Sequence, residues 1–364
     1  MESNLRRGSI VRVLALAAAS FAIAGLAGCD ADRGRPSGDA APAAERAGRA
    51  APEAGARPGE PGARRPGEAP ADQDEPELLG VPAEPGSGTQ PGGPSAPPPA
   101  DVPAAGPTQD DVRIFNETMA WAHAQRLDTL PIGEIMVRIG RRFVGAPYRP
   151  GLLEVPGPER LVVNLREYDC VTFVETVLAL SRMVRAGQDD FETFQRELAR
   201  IRYRGGVIDG YPSRLHYFSE WIADNEAKGI LNDITRELGG VADTEPIDFM
   251  SRNADRYPKL ADPANLEAIR EIERRLSGGT RYVIPEDRIA DVAPRIRNGD
   301  IIAATSSARG LDVAHTGLAV WIDGRLHLMH APLVGRNVEI SELPLAERIR
   351  GIRGQDGIMV ARAR

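Results

Sequence analysis

The sequence predicts an α+β fold confined to its second part, with helices first and an antiparallel meander of strands after them. Three observations carry this. Apolar residues at helical spacing recur between Val112 and Leu276, and short apolar runs bounded by turn residues follow Gly299-Asp300. Ahead of both lies a long Pro- and Gly-rich stretch without the makings of a core. Helices gathered before strands imply a helical lobe packed on an antiparallel sheet, with extra helices, rather than alternating βαβ units.

From the N-terminus, Arg6, Arg7 and Arg12 precede an apolar run from Val13 to Leu26. This is the charged start and short hydrophobic centre of a secretory signal over residues 1–28, and it is too short for a membrane-spanning helix. The run ends in Leu26-Ala27-Gly28-Cys29, which resembles the lipobox of bacterial lipoproteins. That resemblance implies a diacylglycerol on the Cys29 thiol and a chain anchored by lipid in the cell envelope, facing the periplasm or the exterior. An ordinary cleaved signal or a single anchor helix is the competing reading.

Residues 29–108 are crowded with Pro, Gly, Ala, Glu and Arg and nearly lack aromatic and β-branched side chains. Such a segment buries too little apolar surface to offset its ordering entropy, so it is expected to be a disordered tether for a folded domain at 109–364. A formal net charge of -7 gives no basic footprint for nucleic acid. With only 2 cysteines, one assigned to lipid, neither an internal disulfide nor a cysteine zinc site is expected. Cys170 therefore has to be explained as a lone thiol.

Within the domain, helices are predicted over Val112–Leu127 and Ile132–Phe143, the latter with Pro131 and Gly133 at its start. The run Asp169-Cys170-Val171-Thr172-Phe173-Val174-Glu175-Thr176-Val177-Leu178-Ala179-Leu180 is too apolar for a surface helix, and Asp169 is a good N-cap. Cys170 then sits in the first turn of a buried helix. Further helices are expected over Phe191–Ile201, Leu215–Asn225 and Pro263–Leu276. After Gly299-Asp300, strands are predicted over Ile301–Ala304, Thr316–Ile322 and Arg325–His330, the last two joined by the hairpin turn Asp323-Gly324. Gly357–Ala361 reads as one more strand.

A thiol at a helix N-terminus is acidified by the unpaired backbone amides and the dipole, and a neighbouring imidazolium acidifies it further. A buried, inert cysteine is the bland alternative. The histidines favour the reactive reading, because His315 opens one strand of the hairpin and His330 closes the other. Cross-strand neighbours of this kind can serve as base and orienter. His327, three residues from His330, points to the opposite face by strand alternation and is expected to be structural or exposed. A metal cluster of His315, His327 and His330 is disfavoured, since a three-residue spacing suits a helix face and no carboxylate completes the set.

Four pieces, in this order, resemble the NlpC-type cell-wall cysteine hydrolases: Gly145-Ala146-Pro147-Tyr148-Arg149-Pro150-Gly151, Asp169-Cys170, Gly299-Asp300-Ile301-Ile302, and His315-Thr316-Gly317 with His330-Ala331. Asp169-Cys170-Val171-Thr172-Phe173-Val174-Glu175 and Ser213-Arg214-Leu215-His216-Tyr217-Phe218 are similar to the N-acetylmuramoyl-L-alanine amidase-like branch. The likeness runs from about Gln109 to the end, although Trp321-Ile322 makes the His315–His330 hairpin longer than in the commonest members. It implies a papain-like core, Cys170 as nucleophile, His315 as base and His330 as orienting residue. It also places Tyr148 beside the thiol as an oxyanion helper, with the Cys170 backbone amide as a second donor.

The implied reaction is hydrolysis of the amide between the lactyl group of N-acetylmuramic acid and L-alanine, in peptidoglycan or in muropeptides, without cofactor or metal. His315 is expected to hold the catalytic thiolate in an ion pair, then to protonate the departing amine and activate water. Arg214, His216, Tyr217 and Trp221 are candidates for a sugar-peptide wall, the competing reading being a packed helix start capped by Ser213. Asn164 is a candidate substrate contact, or else a bond to its own loop. An endopeptidase cutting within the stem peptide, a non-catalytic envelope-binding module and a lipid-acting acyltransferase are the rival functions.

Overall fold

The computed structural model describes residues 106–332 and 336–364. The expected signal segment, Cys29 and the tether as far as residue 105 lie outside the described residues.

The helical lobe begins with α1 (Gln109–Ala124), α2 (Ile132–Arg142), α3 (Cys170–Ala186), α4 (Phe191–Arg202) and α5 (Phe218–Ala227). Thr108 and Asp111 form a reciprocal capping box at the start of α1. The buried Asp111 carboxylate also accepts Leu165 N at 2.8 Å and Arg166 Nε at 3.1 Å, pinning the loop that leads into α3. Burial alone would raise this carboxyl, but the bonds from Leu165, Thr108 and Arg166 outweigh it and hold Asp111 below its usual range.

Helix α3 is the axle of the lobe. Its apolar residues face every direction, as its composition predicts, and it packs on α2, α4 and β5. Gly187, at φ 65°, ends it in the left-handed conformation.

After α5 come β1 (Leu231–Asp233), β2 (Val241–Asp243), α6 (Phe249–Arg252), α7 (Pro263–Ser277), β3 (Arg281–Pro285) and α8 (Ile289–Val292). The chain then makes β4 (Ile301–Ser306), β5 (Val313–Ile322), β6 (Arg325–His330), β7 (Glu339–Ile340), α9 (Leu345–Gly351) and β8 (Gln355–Ala363). The sheet is antiparallel throughout, in the order β2-β3-β8-β4-β5-β6-β7, with β1 also pairing β8.

Both faces of the sheet are covered. Ile301, Ala303, Leu318 and Met359 join the core beneath the helical lobe, while Ile302, Ala304, Ala319 and Val360 join a second core with Ile289, Val292, Leu345 and Ile349. Alternate residues thus meet different apolar layers. That explains why these strands read as unbroken apolar runs rather than alternating ones. A third cluster, including Tyr211, Tyr217, Phe249, Met250, Tyr257 and Ile269, forms a side lobe around α6 and α7.

The fold is the mixed helix and antiparallel-sheet arrangement expected from the sequence, with several local differences. Helix α5 starts at Phe218 instead of Leu215, because Tyr203 and Arg214 form a β-bridge and Leu215 N bonds Arg202 O at 3.0 Å, which keeps 214–215 extended. Ser213 does not cap α5, since its hydroxyl closes a turn onto Gly210 O at 2.7 Å. Strands β1, β2, β3 and β7 and helices α6, α8 and α9 were not expected. They are short, and β7 at 2 residues is too brief to show a period.

Candidate active site

Cys170 is the first residue of α3 and is 5% exposed. Asp169, extended at φ -96° and ψ 178°, accepts Thr172 N at 2.7 Å, and Thr172 Oγ1 accepts Asp169 N at 2.9 Å. This capping box fixes the first turn and leaves the thiol at the positive end of a long buried helix. Burial raises the Asp169 carboxyl above its usual range, although the Thr172 bonds and the Arg202 and Arg214 charges pull it down.

A cavity opens in front of Cys170, lined by Tyr148, Glu154, Asp169, Arg214, His216 and Tyr217 among others. Tyr148 is brought there by two short pairings. Tyr168 N bonds Pro147 O at 3.0 Å and Arg149 N bonds Tyr168 O at 2.9 Å, which ties 147–149 to the residue just before Asp169-Cys170. On its other side, Tyr148 N bonds Arg336 O at 3.0 Å, and Val338 exchanges bonds of 2.8 Å with Gly145 and Ala146. Segment 145–149 is thus a splint between the thiol's helix and the strand next to His330.

His315 and His330 meet as the hairpin predicts. His315 Nε2 lies 2.8 Å from His330 Nδ1, with the rings edge to face at 4.9 Å between centroids. The register sets Leu318 opposite Met329, which brings Gly317 beside His330 and leaves His315 as the diagonal neighbour of His330. A Cβ on Gly317 would stand 2.7 Å from Met329 O and 2.9 Å from His330 Cβ, so a glycine is what lets the rings approach. Burial, followed by the Arg348 cation on α9, lowers His315 to about 3. Burial also depresses His330 well below the histidine range, aided by His315, Arg348 and Arg336. The environment therefore favours neutral imidazoles, the form that accepts a proton. The imidazolium of the expected ion pair has to be sustained by a thiolate against it. Helix α3 packs along β5 and β6, which carry the two histidines.

The other candidates fall into two groups. Arg214, His216 and Tyr217 line the cavity, but each is tied to protein. Arg214 is paired with Glu154 and lies 3.7 Å from Glu159, and its Nη1 donates to Leu153 O at 2.6 Å. His216 Nε2 is 2.9 Å from Tyr211 O, and burial together with the Arg214 charge drives it well below the histidine range. Tyr217 donates to Glu273 at 2.7 Å and accepts Met250 N at 2.9 Å. Trp221 and Asn164 do not reach the cavity lining. Trp221 is fully buried with Nε1 on Glu175 at 3.1 Å, and Asn164 Oδ1 accepts Arg166 N at 2.9 Å and Glu167 N at 3.1 Å, bonding its own loop. His327, on the face opposite His330, has Nδ1 2.8 Å from Ser341 O. Sequence reading missed the Glu175–Arg202 pair behind the thiol, where Arg202 Nε donates at 2.7 Å and both side chains are buried.

A model of the N-acetylmuramoyl-L-alanine amidase-like family matches residues 138–357, a span that holds Tyr148, Cys170, His315 and His330. The chain belongs to this family. A crystal structure described as an N-acetylmuramoyl-L-alanine amidase from Bacteroides uniformis is similar to this family member at 38% identity and TM-score 0.62, covering 64% of this chain and 99% of that one. A structure described as a putative xylanase from Bacteroides fragilis is similar at 39% identity and TM-score 0.59, covering 61% and 98%. A Legionella pneumophila protein shares the fold at 22% identity and TM-score 0.51, over 70% of this chain and 95% of its own. The comparison with curated proteins finds no match.

Proposed function

We propose that the protein is a cysteine-dependent peptidoglycan hydrolase that cleaves the amide between the N-acetylmuramic acid lactyl group and L-alanine. The observation that carries this reading is Cys170 at the capped N-terminus of the buried helix α3, in the wall of a cavity. The buried His315–His330 pair, with Nε2 and Nδ1 2.8 Å apart, supports it from β5 and β6, although neither ring is among the residues lining that cavity. Family membership supplies the reaction class.

His315 Nε2 is engaged by His330, so the proton from the Cys170 thiol goes to Nδ1. Sulfur attacks the lactyl carbonyl carbon, a C–S bond forms, and the C–N bond breaks as His315 returns the proton to the alanine amine. Water, deprotonated by His315, then cleaves the thioester to the lactyl carboxylate and the thiol. The Cys170 backbone N–H and Tyr148 are the oxyanion donors. The cavity around Arg214, His216 and Tyr217 takes the sugar-peptide. A lipid on Cys29, a reading that rests on sequence alone, holds the enzyme at the envelope membrane. Glycoside cleavage, the activity in the Bacteroides fragilis protein's description, calls for two available carboxyl groups. The cavity carboxylates here are committed, Glu175 to Arg202 and Trp221, Asp169 to Thr172 and Glu154 to Arg214.

The test is mass spectrometry of defined muropeptides incubated with the full chain and with Cys170→Ala. Stem peptide beginning with L-alanine, released by the parent and not by the variant, is the expected result. Cleavage between amino acids would make the protein an endopeptidase, and no cleavage by either would leave a binding module.

A further inference from the structure

We propose that Glu339 is a positioning residue that selects the reactive tautomer of the histidine pair, extending Cys170–His315–His330 to a fourth member; this rests on the assignment of His315 as base. For His315 to accept a proton at Nδ1, its Nε2 must carry hydrogen and donate to His330 Nδ1. His330 is then an acceptor at Nδ1, and its own proton stands on Nε2. That nitrogen is buried and makes no hydrogen bond among the described residues, in a side chain that is 0% exposed. An unmet buried Nε2 is costly in either tautomer, so an acceptor placed beside it selects the form that carries the proton there and leaves His315 Nδ1 free to act as base.

Glu339 Oε1 lies 3.9 Å from His330 Nε2. The placement follows from the sheet, since Glu339 of β7 is the register partner of His330 on β6. Strand β7 has 2 residues, yet it is anchored, because the chain just before it bonds the splint at Gly145, Ala146 and Tyr148. The carboxylate is held by Arg336 Nη2, at 2.9 Å from Oε1 and 3.0 Å from Oε2. The charges that act on the pair are Arg348 from α9 and Arg336 from the segment before β7, both cations that disfavour imidazolium. Among the described residues, Glu339 is the carboxylate within ion-pair distance of His330. A move of about 1 Å would convert the 3.9 Å approach into an N–H···O bond of ordinary length. As positive charge builds on His315 during attack, the relay shifts it toward this carboxylate.

The experiment is ¹⁵N NMR of histidine-labelled full chain, with His330 assigned by loss of its signals in His330→Asn. It is paired with muropeptide kinetics of Glu339→Ala and Glu339→Gln. The expected result is a proton on Nε2 of His330 in the parent. Glu339→Ala should lower kcat about tenfold with KM little changed, while Glu339→Gln, whose amide oxygen still accepts, should keep most of the rate. A proton on Nδ1 of His330 in the parent overturns the proposal, as does an unchanged kcat in Glu339→Ala. The NMR arm is independent of turnover. The expected tautomer with no muropeptide cleaved would therefore count against the amidase reading and leave the role of Glu339 standing.

Discussion

At the scale of single residues, the site depends on what is absent from Gly317 as much as on what the histidines present. A methyl group there meets backbone, Met329 O at 2.7 Å, as well as His330 Cβ, so β5 and β6 have to part for it to fit. Gly317→Ala is expected to cost about 1–3 kcal/mol in urea denaturation, and muropeptide turnover should fall by more than the lost stability explains. A variant with the parent's midpoint and rate would mean that the hairpin yields freely. The hairpin itself was legible in the sequence because Asp323-Gly324 fixes the register, and register fixes which side chains become neighbours. The partner of His330 Nε2 was not legible. Glu339 belongs to a strand of 2 residues beyond a loop, and nothing local marks it. Arg214, His216, Tyr217 and Trp221 show the same limit. A charged and aromatic cluster looks alike in sequence whether it walls a cleft or closes a buried network, and only tertiary packing turned Trp221 onto Glu175.

At the scale of elements, α3 was the most readable part of the chain, since its cap and its all-round apolar character agree with one another, although the helix runs on past Leu180 to Ala186. The cap does two jobs: it satisfies Thr172 N, and it sets the angle at which Cys170 leaves the helix. Asp169→Ala is expected to lower stability by about 1 kcal/mol, and Asp169→Asn, which retains an accepting oxygen, by less. Iodoacetamide alkylation of Cys170 followed by mass checks the local effect. The Ala variant should change the alkylation rate more than the Asn variant does, and equal rates in all three proteins would separate the cap from the thiol. The splint at 145–149 was visible only as a motif. Its physical role, bonding Tyr168 on one side and Arg336 and Val338 on the other, is non-local and could not be read from spacing.

At the scale of the molecule, two imidazoles, His315 and His330, are enclosed, and His216 is half-buried at the cavity. His315 is lowered to about 3, and His216 and His330 are lowered well below their usual value, burial being the first cause in each case. The unfolded chain binds protons at these sites near pH 6.5 and the native one does not, so stability falls as pH drops below about 6.5, and for His315 goes on falling to about 3. For His315 the loss between pH 6.5 and 5 is of the order of 2 kcal/mol. The buried carboxyls Asp169, Glu175 and Asp312, raised by burial, act in the opposite sense. The informative measurement is therefore a difference. The urea midpoint of His315→Gln should fall less steeply with acid than the parent's, and parallel curves would remove His315 from the account.

Strand β8 lies inside the sheet, paired with β4 on one edge and with β3 and β1 on the other. Neither apolar layer can close until residues 355–363 arrive, and their contacts with β1 span more than a hundred residues. Folding of this domain is thus limited by a slow search set by long-range closure. A truncation that removes residues 355–363 should therefore leave a chain that keeps helical propensity but closes neither apolar layer, and not a smaller folded domain.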